Sequence, residues 1–121
     1  MPPKLRPGRF AGLLLAFALA YAGAAASNAA EAERPLPVVA AENFYADVAR
    51  QVAGPGAAVA SILSNPDQDP HAFEASPSVA RAFAASRIAV VNGAGYDPWA
   101  TKLLAATKSA GRTTIVVADL L

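Results

Sequence analysis

From Leu36 onward, apolar runs alternate with segments of helical period. "LPVVAA" (Leu36 to Ala41) is apolar without alternation, the pattern of a strand buried on both faces. In "ENFYADVARQVAG", Phe44, Val48 and Val52 recur at every fourth position, a helical stripe, and Gly54 stands where that helix would stop. "AAVASIL" (Ala57 to Leu63) is a second strand-like run. Ser76-Pro77 then opens a helix, because the hydroxyl can cap a free amide and proline loses no partner at the first helical position. Val79, Ala82 and Phe83 form its inner face. "IAVVNG" (Ile88 to Gly93) is a third strand closed by a glycine turn. Asp97-Pro98 repeats the cap-plus-proline signal, with Trp99, Leu103 and Leu104 turned inward and Gly111 ending the helix. "TTIVVADLL" begins a fourth strand.

Strands at 37–41, 57–63, 88–92 and 113–118, separated by helices, predict an α/β fold: a parallel four-stranded sheet with flanking helices and right-handed crossovers. Ligands of open sheets bind at the carboxyl ends of the strands. The polar segments "NPDQDPHAFEASP" (Asn65 to Pro77) and "NGAGYDP" (Asn92 to Pro98) leave the second and third strands at that end. They are expected on one rim.

The N-terminus reads differently. Lys4, Arg6 and Arg9 precede an apolar run from Ala11 to Ala26, followed by small residues that permit cleavage after Ala26 or Ala30. This is the pattern of a signal peptide over residues 1–30. The sixteen-residue run is shorter than the ~20 residues of a membrane span. Cleavage would remove three of the ten basic residues and leave seven against nine acidic ones, a net charge of −2. The formal net charge of the whole chain, +1, argues against nucleic acid, which usually needs a clustered basic face. The chain has no cysteine, so thiolate metal sites, thiol nucleophiles and disulfides are excluded.

The chemistry gathers around His71, the only histidine. It could be a metal ligand, a general base or a loop-capping residue. Asp67 and Asp69 precede it and Glu74 follows, and Pro66 and Pro70 restrict the backbone. An aspartate accepting the second ring N–H would orient the imidazole as outer-shell carboxylates do for metal-bound histidine. The two aspartates also suit ordinary turn chemistry. Catalytic patterns are lacking. There is no G-x-S-x-G elbow and no H-E-x-x-H, "NGAGYDP" lacks the third glycine of a dinucleotide loop, and "DQDPHAFE" lacks the EF-hand glycine and final glutamate. Tyr96 and Trp99 read as packing residues, with ligand contact as the alternative. No enzyme is expected.

"VVAAENFYADVARQVAG", "DPHAFEASPS" and "NGAGYDPW" together closely resemble the beginning of the periplasmic solute-binding receptors of zinc and manganese ABC importers, over residues 36–121. The resemblance implies one lobe of a two-lobed metal receptor, with residues 31–121 as a truncated N-terminal lobe. It implies that His71, which stands at the histidine of the D-P-H motif, is a metal ligand. It implies a divalent metal ion as cargo, zinc rather than manganese from the look of "NGAGYDPW", and a membrane permease as partner in the periplasm. The further ligands of such receptors, a second histidine and acidic or histidine residues of the second lobe, have no match here. The alternative is a secreted α/β interaction or adhesion fragment in which His71 binds nothing.

Overall fold

A computed structural model describes residues 34–121 and the initiating Met1; the expected signal peptide otherwise lies outside the described residues. The order is β1 (Leu36–Glu42), α1 (Asn43–Ala53), β2 (Ala57–Leu63), α2 (Pro77–Ala85), β3 (Ile88–Val91), α3 (Pro98–Ala106) and β4 (Thr113–Val116). The four strands form one sheet in the order β2-β1-β3-β4. All pairings are parallel, with Val38 opposite both Val59 and Ile88, and Val90 opposite Ile115.

β1 is central, which explains its unbroken apolar run: Val38 to Ala41 are each no more than 5% exposed. One face of the sheet carries the main core. There α2 and α3 bring Phe83, Trp99 and Ala100 onto Val39, Ala41, Leu63, Ala89 and Val91. Val79, Ala82, Leu103 and Leu104 pack around this cluster, as their spacing predicts. Trp99 meets Phe73 and Phe83 edge to face, at centroid separations of 4.7 and 6.0 Å.

α1 packs on β1 and β2. Its apolar stripe turns outward: Phe44, Val48 and Val52 are 47%, 59% and 84% exposed, while Ala46 is fully buried. Two stripes share the helical period in this segment. The one with small side chains faces the alanine-rich strands, because it lets helix and sheet approach closely.

The helix ends follow local chemistry. Ser76 Oγ accepts the Val79 N–H at 3.4 Å with Pro77 at the first position of α2. Gly54 ends α1 at φ +55° and returns its N–H to Arg50. α3 stops at Ala106, earlier than Gly111 suggests. The Thr107 hydroxyl donates to the Leu103 carbonyl at 2.7 Å. That bond competes with helix continuation.

At the amino-terminal side of the sheet, the Arg112 guanidinium donates to the carbonyls of Phe83 (2.8 Å) and Leu104 (3.2 Å) and to Thr107 Oγ1 (3.2 Å). It thereby serves the free carbonyls at the ends of α2 and α3 together. Arg112→Ala removes charge-assisted bonds worth roughly 1.5–3 kcal/mol. Denaturant unfolding should show a loss on that order.

Candidate metal centre

Three segments meet at the carboxyl rim: Glu42 at the end of β1, Asn65–Ser76 after β2, and Asn92–Asp97 after β3. The chain leaves β1 toward β2 on one side and returns past it to β3 on the other, so the switch point lies between β1 and β3.

The loop after β2 is built from side chains that bond nearby backbone. Asn65 Oδ1 accepts the Asp67 N–H at 3.0 Å. Asp69 Oδ1 accepts the His71 backbone N–H at 3.0 Å and lies 3.1 Å from His71 Nδ1. A carboxylate beside Nδ1 selects the tautomer with its proton there. The Nε2 lone pair is then free, and Nε2 has no hydrogen-bond partner among the described residues. The ring is also braced edge-on against Tyr96, 5.4 Å between centroids. The His71 side chain remains 60% exposed. The backbone N–H of His71, and then its imidazole, hold the Asp69 carboxyl below its ordinary range. Of the two aspartates the sequence offers, Asp69 orients the imidazole; Asp67 takes part only through its backbone N–H.

The loop after β3 is a backbone structure of a different kind. Gly93, Ala94 and Gly95 have φ of +76°, +50° and +77° in succession. Asp97 does not cap α3. It turns back and accepts the Asn92 and Gly93 N–H groups at 2.7 and 2.8 Å. This clamp holds the left-handed turn, which a helix-capping aspartate could not reach. The Tyr45 hydroxyl donates to Asn92 Oδ1, and Asn92 Nδ2 donates to the Gly93 carbonyl at 2.9 Å. Burial and then the nearby acidic groups, Glu42 first, push the Tyr45 phenol up. Tyr96 and Trp99 part company here: Trp99 belongs to the core, while Tyr96 stands on the rim against His71.

Sequence reading missed Glu42. It is 2% exposed, and neither carboxylate oxygen has a hydrogen-bond partner among the described residues. Burial, then the proximity of Asp97, pushes its carboxyl up to about 7. The available signal was an acid placed directly at the end of an unbroken apolar strand.

On the other side of His71, a groove of about 390 Å³ runs along α3 between Phe73, Glu74, Trp99 and Lys102. Among the described residues, no three His, Cys, Asp or Glu side chains are gathered to hold a metal ion.

A model of the periplasmic zinc-uptake complex component A family, ZnuA, matches residues 38–121. The chain belongs to the ZnuA family. Its fold is that of solved metal receptors. The Zn(II)-bound ZnuA-like domain of Streptococcus pneumoniae AdcA aligns with a TM-score of 0.63 at 24% identity, covering 73% of this chain and 33% of that one. The periplasmic zinc-binding protein TroA of Treponema pallidum aligns at 0.62 and 20% identity, covering 71% and 30%. A Mn-bound periplasmic metal-binding protein of Candidatus Liberibacter asiaticus aligns at 0.61 and 17%, covering 71% and 31%. This ZnuA-family chain thus spans a third or less of each of these structures.

Proposed function

We propose that this chain acts as the metal-capturing lobe of the solute-binding component of a zinc ABC importer, with manganese as the alternative cargo. The observation that carries this is the oriented imidazole: Asp69 occupies Nδ1 and leaves Nε2 of His71 open on the rim. Imidazole suits zinc, and an outer-shell carboxylate raises its basicity. Membership of a periplasmic zinc-uptake family and the fold of zinc- and manganese-bound receptors support the same reading. In it, residues 1–30 direct export to the periplasm and a membrane permease receives the metal. The remaining ligands come from outside the described residues, since zinc takes three or four protein ligands. No step of this role is catalytic.

Calorimetric titration of the chain with zinc tests the incomplete site. Binding should be weak, and His71→Ala should change little of what remains. Addition of a second lobe that carries the missing ligands should restore tight binding. In that completed receptor Asp69→Ala should weaken zinc roughly 10–100-fold, as loss of an outer-shell partner does, and His71→Ala should weaken it further. Tight stoichiometric binding by the chain alone, abolished by His71→Ala, would overturn the incomplete-site reading. A completed receptor indifferent to His71→Ala would favour the interaction-module reading.

A further inference from the structure

Glu42 is a rim residue that the imidazole site does not use. Its carboxylate is buried, and both oxygens are without a partner among the described residues. Buried carboxylates are normally hydrogen-bonded, paired with a cation or bound to a metal. The acidic neighbour is no partner: the Asp97 carboxylate is turned to the Asn92 and Gly93 N–H groups, and an ionised carboxylate has no proton to donate to Glu42.

Glu42 lines a cleft of about 90 Å³ at the ends of β1 and β2. A water molecule takes about 30 Å³ in the liquid, so the cleft has room for an ion with one or two waters. Its other polar lining residues are Asn43, Asn65, Gln68 and Tyr96. They offer oxygen donors, with neither imidazole nor thiolate. Asn65 Oδ1 accepts one N–H, from Asp67, and a carbonyl oxygen has a second lone pair to give. Oxygen-only sets select hard cations over zinc.

We infer that Glu42, with the side-chain oxygens of Asn65 and Gln68, forms a second cation site on the rim, which takes a hard divalent ion through oxygen alone. The site is distinct from the imidazole of His71 and does not depend on the function proposed above. An ion held there offsets the like charges of Glu42 and Asp97. It also ties β1 to the segment that leads into Asp69 and His71.

Manganese(II) is the probe, because its free aquo ion gives an electron paramagnetic resonance signal that is lost on binding. The full chain should bind one equivalent, and so should the His71→Ala variant. Glu42→Gln should bind at least tenfold more weakly while circular dichroism shows it folded. Magnesium should compete for the bound manganese. Undiminished binding by Glu42→Gln overturns the proposal, and so does loss of the equivalent in His71→Ala, which would assign it to the imidazole. If the wild-type chain binds no manganese, Glu42 is a proton-bearing, water-filled cleft residue and the proposal fails. Asn65→Ala provides a second reading: it should weaken manganese and leave the fold intact.

Discussion

Gly93→Ala should destabilise the chain by about 3 kcal/mol, which for a small α/β domain is a large part of its stability. Two separate penalties combine. The residue has φ +76°, a left-handed conformation that costs a non-glycine residue roughly 1–2 kcal/mol. A Cβ there would also lie 2.4 Å from Val116 Cγ1, so the Val116 side chain or the turn itself would have to shift. Overpacking of this kind costs about 1–3 kcal/mol. Gly95 separates the two terms, because it has φ +77° but open space around it. Gly95→Ala should therefore lose only about 1–2 kcal/mol. Urea unfolding midpoints of the two variants check this. Equal losses would show that the Val116 contact carries no weight. Ala94, at φ +50°, provides the converse test: Ala94→Gly should be neutral or stabilising.

The second large effect concerns pH. The Glu42 carboxyl is raised from its ordinary 4.5 to about 7, first by burial and then by Asp97, while the phenols of Tyr45 and Tyr96 also face this corner. The folded state therefore holds a proton that the unfolded chain has already released. Stability is fully present below about 4.5 and is lost as pH rises toward about 7, above which the loss is complete. A shift of this size corresponds to on the order of 3 kcal/mol. Glu42→Gln keeps the shape and removes the charge. With chelator present, it should be more stable than wild type at pH 8 by an amount on that order and should match it near pH 4. Thermal melts across the range decide the matter. A wild-type profile that is flat between those values, or a Glu42→Gln variant less stable at pH 8, would contradict the buried-carboxylate account.

Much of the fold could be read from the order of apolar runs. The unbroken run of β1 marked it as central, and Ser76-Pro77 marked the start of α2. Period gave α1 but not its orientation, since Phe44/Val48/Val52 and Ala46/Ala49 both satisfy helical spacing. Only the alanine-rich strands beneath decide between them. Asp97 illustrates a different limit. Sequence places it before Pro98 as a helix cap, yet the left-handed turn at Gly93–Gly95 brings two backbone N–H groups within its reach. The order D-x-H told of Asp69 and His71 because that contact spans only two residues. Glu42 could not be found this way, because its burial is set by strands and loops far apart in sequence.

The central claim is that His71 presents Nε2 to the metal while Asp69 holds Nδ1. One histidine in the chain means one imidazole in the spectrum. The ¹⁵N side-chain spectrum of the labelled, tag-free chain, titrated with zinc in the presence of the second lobe that completes the site, is therefore the most direct measurement. Before zinc, the neutral ring should show its proton on Nδ1. On zinc addition, the Nε2 resonance should shift while Nδ1 stays protonated, and Asp69→Ala should mix the tautomers. A ring whose Nε2 is unmoved while the completed receptor binds zinc, or whose proton sits on Nε2 in the free chain, would contradict the account.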